Sequence, residues 1–336
     1  MKIKKLKEAK KINKERLIHI VNRLNKSRVM VVGDVMLDEF IWGSVSRISP
    51  EAPVPVVWVK SESYMPGGAL NVANNIAALG GKAFIAGIVG DDHRGQLLTE
   101  EALKRNINVE GLIVDANRPT TLKTRIIAHH QQVVRIDKED TNPVDSDILR
   151  QVTRYVREKI QDIDGIIIED YGKGLVVPEL VKELVNLGKK YKKVISVDPK
   201  EEHFSYYKGI TVMTPNNHEA SKAVGFEIKD EDTLIKAGRE LVNKLSCDAV
   251  LITLGENGMC LFENSKRITH IPTVAQEVFD VSGAGDTVIA TFTLGLSCGA
   301  GKLEAAHIAN FAAGIVVGKV GTATTTQDEL LERICK

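Results

Sequence analysis

Six short runs rich in Val and Ile recur along the chain, RVMVVG (28–33), AFIAGIVG (83–90), DGIIIED (164–170), KVISVD (193–198), ITVMTP (210–215) and AVLITLG (249–255), with helix-length amphipathic segments between them. A strand buried on both faces needs a continuous apolar run, and an intervening helix returns the chain for parallel pairing. The alternation therefore predicts an α/β fold with a mainly parallel sheet covered by helices on both faces. Ligands of such sheets bind beyond the carboxyl ends of the strands. Those ends carry Asp34, Asp38, Asp170, Asp198, Asn216, Glu219 and Gly255, so the polar residues are expected to converge on one rim.

Two segments, approximately 39–60 and 119–139, alternate like strands without helices between them. They predict a small antiparallel sheet inserted in the main domain, a discontinuous lid able to close over the rim. Its apolar residues Phe40, Trp42, Val54, Val56 and Trp58 need a cover, which a homodimer through the lids would supply.

The 336 residues carry 45 Lys and Arg against 44 Asp and Glu, a net charge of +1. Such a balance offers no electrostatic footprint for a nucleic acid or an anionic membrane, so neither is expected as a partner. The four cysteines, Cys247, Cys260, Cys298 and Cys335, are too scattered for a zinc site or a disulfide framework. Residues 1–26 are basic but lack the continuous apolar core of a signal peptide, and a cytoplasmic location is expected. Within them Ile12, Leu17, Ile20, Val21 and Leu24 fall near helical spacing, as in a surface helix packed on the domain.

The stretch DVSGAGDT (280–287) precedes an apolar run of helix length. Small residues at Gly283, Ala284 and Gly285 let backbone amides at a helix start converge on one point, where the helix dipole favours negative charge. A carboxylate beside that point, Asp286, would repel a phosphate unless it accepts a proton from the attacking hydroxyl. A Gly-rich turn with Asp as helix cap explains the same letters. There is no GxxxxGK[ST], and Gly283-x-Gly285 lacks the third glycine of a dinucleotide fingerprint.

Together GGALNVA (67–73) and DVSGAGDT resemble the two signatures of the ribokinase-like (PfkB) carbohydrate kinases, and the likeness runs over nearly the whole chain. It implies one ribokinase-like kinase domain over 1–336, with the lid inserted in it. Within that group, VVGDVMLDEFIWGSVSRISPEAPVPVV, PGGALNVANNIAALGG, QQVVRIDKED, EDYGKG, VDPK, TPNNHE, AQEVFDVSGAGDTV and NFAAGIVVGKVGT resemble the D-glycero-β-D-manno-heptose-7-phosphate kinases. General sugar kinases are not expected to share SRISPEAPVPV (46–56). The resemblance implies phosphorylation of O1 by ATP with Mg²⁺, on the route to ADP-heptose for lipopolysaccharide core. In many such proteins an adenylyltransferase follows; this chain ends at Lys336. A stand-alone kinase is therefore the expectation, with a bisphosphate phosphatase and a separate adenylyltransferase as pathway partners.

Carried over position by position, the resemblance makes Asp286 the base and Gly283, Ala284 and Gly285 the hole for the transferring phosphoryl group. Asn216 and Glu219 match an NxxE element that organises Mg²⁺, mainly through water; a helix N-cap with an acid three residues on explains the same pattern. Thr253 and Gly255 match a turn under the nucleotide, and Asn310 the adenine pocket. Asp38, Gly68 and Asn71 match positions that hold sugar hydroxyls, Gln131 and Gln132 are substrate candidates, and Asp34 reads as a turn residue. Asp170 is expected on the rim with Lys173. A 7-phosphate requires cations, for which Arg47, Lys123, Arg125, Arg135, Lys173 and Lys200 are candidates. Asp280 with the backbone near Ser282 matches a monovalent-cation site, K⁺. His129 and His130, adjacent on a lid strand, would face opposite ways and form no metal pair. A kinase for another sugar and a non-catalytic sugar or nucleotide sensor are the alternatives.

Overall fold

Residues 13–129, 131–275 and 277–336 are described by a computed structural model. Ile12, His130 and the other residues outside these ranges are not described. In chain order the strands are β1 (Arg28–Gly33), β2 (Val35–Ile48), β3 (Pro55–Gly68), β4 (Lys82–Gly90), β5 (Asn108–Asp115), β6 (Leu122–Ala128), β7 (Gln131–Lys138), β8 (Gly165–Glu169), β9 (Val194–Asp198), β10 (Val212–Met213), β11 (Ala249–Thr253), β12 (Met259–Glu263) and β13 (Ile268–Ile271). The helices are α1 (Lys14–Val21), α2 (Ala69–Ala78), α3 (His93–Lys104), α4 (Ser146–Lys159), α5 (Pro178–Tyr191), α6 (Asn217–Val224), α7 (Glu231–Leu245), α8 (Ala284–Ser297), α9 (Lys302–Val316) and α10 (Gln327–Cys335).

Nine strands form one sheet in the order β13-β12-β11-β10-β9-β8-β1-β4-β5. From β11 to β5 neighbours are parallel, while β12 and β13 pair antiparallel at one edge. Successive side chains of a strand face opposite sides, so each apolar run feeds two cores. Val29 and Val31 of β1 join α1, α2, α8, α9 and α10 on one face, and Met30 and Val32 join α4, α5 and α7 on the other. Ile166, Ile167 and Ile168 are all fully buried, and each contributes about 1.5–3 kcal/mol by leaving water. The expected surface helix is α1, which packs Leu17, Ile20 and Val21 into the first core.

The second sheet has the order β3-β2-β6-β7. It departs from the expected antiparallel lid in its centre, where β2 and β6 are parallel. Two hairpins leave the main domain in the same direction, so their outgoing strands lie side by side and run together. The first hairpin also extends beyond 39–60 at both ends, because β2 and β3 pair down to Val35 and Gly68 at the foot of the lid. His129 has φ 50° and stands in the turn after β6, not within a strand; its Nε2 lies 3.0 Å from the Val45 carbonyl oxygen.

Candidate active site

Helix α8 begins beside the carboxyl ends of β8 and β9, and every residue from Asp286 to Gly295 is buried. Its start is set by Gly283, whose φ of 75° is costly for a residue with a side chain. In the first turn the amides of Gly285 and Asp286 have no carbonyl of the helix to bond. The Ala284 amide is not free, since it donates to the Val281 carbonyl at 3.2 Å. Ala284 therefore drops out as a donor of the expected anion hole, which falls to the two amides after it.

Asp286 is held from two directions. Asn71 Nδ2, on α2, donates to Oδ2 at 2.5 Å, and the Tyr171 hydroxyl donates to Oδ1 at 3.3 Å. Burial pushes the Asp286 carboxyl up to about 6, against the pull of these two donors. A carboxyl so placed is ionised near neutrality yet still basic enough to take a proton. The oxygen of the Asn71 amide, Oδ1, is buried and has no hydrogen-bond partner among the described residues. Gly68 precedes α2 with φ 55°, where a Cβ would come within 2.5 Å of the Asp34 carbonyl oxygen.

Glu169 and Asp198 complete an acidic trio with Asp286, their carboxylate oxygens within 4.8 Å of one another. Burial and the charge of neighbouring carboxylates raise both Glu169 and Asp198 well above the ordinary range. Asp198 stood on the expected rim, whereas Glu169 was missed, although strand period predicts it. In β8 Ile167 faces the α8 side, while Ile166 and Ile168 face the other. Glu169 follows Ile167 by two and so points at Asp286.

The same period corrects Asp170. Its side chain faces away from Asp286 and is fully buried; it accepts from the Gly172 amide at 2.8 Å and the Tyr207 hydroxyl at 2.5 Å, and its Oδ2 lies 2.7 Å from His203 Nδ1. Asp34 braces the same loop, accepting from the amides of Tyr171 and Lys173 at 2.9 Å each.

On one side of Asp286 lies a cavity of about 480 Å³, whose lining includes Thr253, Gly255, Gly285 and Asn310. Four of the expected nucleotide residues thus share one wall system. The sequence reading missed its apolar members Val278, Val281, Val288 and Val317. Asn310 donates through Nδ2 to the Pro272 carbonyl at 2.7 Å, which fixes the amide. Asn216 and Glu219 form a capping box on α6: Asn216 Oδ1 accepts from the Glu219 amide at 2.9 Å, and Glu219 Oε2 from the Asn216 amide at 2.8 Å. Glu219 also lies near enough to Asp198 to raise it. Asp280 accepts from the Ser282 and Gly321 amides at 2.9 and 3.0 Å and ties the loop before α8 to the one after α9. These amides hold its carboxyl below the usual range, although burial works in the opposite direction.

On the other side is the foot of the lid. Arg125 Nη1 lies 2.5 Å from Asp38 Oδ1, Lys173 Nζ 2.7 Å from Glu139 Oε1, and Arg135 Nε 2.9 Å from Asp137 Oδ1. Lys123 Nζ sits 5.6 Å from the centre of the Tyr171 ring. Lys200 is drawn away to Glu202, at 3.7 Å. Arg47 and Gln131 are separated from this group. Arg47 is nine residues beyond Asp38 on β2, about 30 Å at 3.3 Å per residue, and Gln131 pairs with Ala128 at the tip of β6.

A model of the pfkB family carbohydrate kinases matches residues 26–329. The chain belongs to that family. Among curated relatives, "Bifunctional protein HldE" of Helicobacter hepaticus is 46% identical over 307 residues, 91% of this chain and 64% of the relative. The protein of the same name from Desulfatibacillum aliphaticivorans is 47% identical over 310 residues, 92% of this chain and 63% of its own. This pfkB chain thus spans somewhat less than two thirds of the length of these relatives. Two solved kinases share its fold: Arabidopsis thaliana ribokinase complexed with ribose and ATP (19% identity, TM-score 0.73) and Escherichia coli phosphofructokinase-2 in complex with potassium (21%, 0.76). Each comparison covers 92% of this chain and 98% of the solved one.

Proposed function

We propose that the chain transfers the γ-phosphoryl group of ATP to O1 of D-glycero-β-D-manno-heptose 7-phosphate, giving ADP and the 1,7-bisphosphate. The observation that carries the phosphotransfer is Asp286, a buried carboxylate at the start of α8 between an apolar cavity and a charged pocket. Heptose as the acceptor is supported by the stretch SRISPEAPVPV and by the likeness to the HldE relatives.

In this scheme ATP lies in the cavity lined by Thr253, Gly255 and Asn310, with its γ-phosphate at the amides of Gly285 and Asp286. Asp286 accepts the O1 proton as O1 attacks phosphorus, and the bond to the β-phosphate oxygen breaks. Asn71 and Tyr171 hold the carboxylate in line. The first-turn amides receive charge on the transferring group. The oxygen-only set Glu219, Asp198 and Glu169, the last with neither carboxylate oxygen hydrogen-bonded among the described residues, fits a hard divalent ion. Glu219 and Asp198 would hold Mg²⁺ through water, and the ion would neutralise phosphate charge. A K⁺ beside Asp280 belongs to the same proposal.

Exposed Trp42, Ile48, Val54 and Trp58 support a homodimer through the lids. A phosphatase acting on the 7-position and an adenylyltransferase would follow in sequence. No helix among the described residues is long and apolar enough to cross a membrane; a cytoplasmic location is part of the proposal. The test is ADP release measured side by side on heptose 7-phosphate, ribose and fructose 6-phosphate. Heptose 7-phosphate is expected to lead in kcat/KM by about 10²-fold or more. A lead for either of the others would overturn the heptose reading and leave the phosphotransfer.

A further inference from the structure

The foot of the lid gathers four cations, and three of them are matched: Arg125 by Asp38, Lys173 by Glu139 and Arg135 by Asp137. Lys123 makes no ion pair among the described residues. On β6 it stands opposite Asp38 of β2 and Asp137 of β7, each already engaged by an arginine. Its ammonium is half-buried, over the ring whose hydroxyl bonds Asp286. Burial first, and then the charge of Lys173, make protonation of Lys123 harder than usual. A partly desolvated ammonium next to a second one is answered only in part by Asp38, Asp137 and Glu139, each engaged by another cation, and an arriving dianion removes the remaining cost.

We propose that Lys123, flanked by Arg125 and Lys173, is the seat of the acceptor's own phosphate, so that this kinase selects a phosphorylated sugar over the free sugar. The inference rests on the acceptor side assigned above and deepens it: six cations were candidates from the sequence, and the geometry selects one as the anchor. Lys123 is reached from Asp286 through Tyr171, not through Gly285 and the cavity, so an acceptor can offer its hydroxyl to Asp286 with its phosphate at Lys123. Lys200, bound to Glu202, and Arg47, far out on β2, have no part in it.

The experiment compares kcat/KM for matched acceptors with and without phosphate, heptose 7-phosphate against heptose and fructose 6-phosphate against fructose, in the wild type, Lys123→Met and Lys123→Arg. The wild type is expected to prefer the phosphorylated member of the pair it uses best. Lys123→Met is expected to shrink that preference about 10–100-fold, mainly through KM, and Lys123→Arg to restore most of it. The KM for ATP and the melting temperature report on folding. A fructose pair that wins while obeying this pattern would overturn the heptose assignment and sustain the role of Lys123. A wild type indifferent to the phosphate, or a Lys123→Met protein with an unchanged preference, would overturn the role of Lys123.

Discussion

On the cavity side of Asp286 the walls are mainly Ala, Val and Gly from α8, α9, the loop before α8 and the turn between β11 and β12, with Asn310 fixed on a backbone carbonyl. On the lid side the walls are ion pairs and one unmatched lysine, carried on a sheet whose outer half is exposed. Shape and backbone groups suit a ligand that is the same in every turnover. Charges on an inserted sheet suit the ligand that distinguishes one kinase from the next, because side chains on a lid can change without disturbing the main core. Asp286 belongs to both sides, and α8 keeps it rigid.

Removing that shared residue has the largest expected effect. Asp286→Asn should lower kcat by about 10²–10⁴-fold and change the dissociation constant of ATP little, measured by single turnover and by calorimetry. Full activity in this protein would remove the base from the scheme.

Acidity gives the second prediction. With Asp286 raised by burial to about 6, kcat/KM should fall about tenfold per unit below pH 6 and level off above it. The folded value lies above the ordinary 3.8, so the carboxyl's contribution to stability is fully present below about 3.8 and lost as pH rises through about 6. Asp286→Asn carries no charge to bury. It should be more stable than the wild type at pH 8, by up to about 3 kcal/mol or roughly 100-fold in the folding equilibrium, with the gap closing towards pH 4. Denaturation at both pH values checks this, and a gap that does not close would contradict it.

A smaller effect separates the two sides. Ala313 lines the cavity, and Ala313→Leu should raise the KM for ATP about tenfold while leaving that for the acceptor nearly unchanged. Equal changes in both constants would erase the division of labour. Smallest is Arg47→Ala, for which the acceptor KM should stay within about twofold, since the residue lies about 30 Å along β2 from Asp38. A large change would extend the acceptor site to the lid tip.

What the sequence made legible follows the same division. Gly283, Gly285 and Asp286 stand next to one another, so a local motif carries them, and the buried strands β1, β4, β8, β9 and β11 announce themselves as apolar runs. Strand β5 is interrupted by Glu110 and Gly111, and β12 and β13 are short antiparallel strands at one end of the sheet whose pattern is set by pairing. The trio Glu169, Asp198 and Asp286 is assembled from two strands and a helix. Only the two-residue period distinguishes Glu169, which faces Asp286, from Asp170, which faces Tyr207. Which lysine stays unmatched depends on strand register between β2, β6 and β7, a property of pairing and not of any one segment.

The most direct test of the account is to let the protein act on Mg-ATP and D-glycero-β-D-manno-heptose 7-phosphate and to locate the new phosphate by ³¹P NMR. The account predicts a 1,7-bisphosphate with the added group on O1 and an equivalent of ADP. A phosphate on any other oxygen, or ADP formed without a phosphorylated sugar, would contradict it.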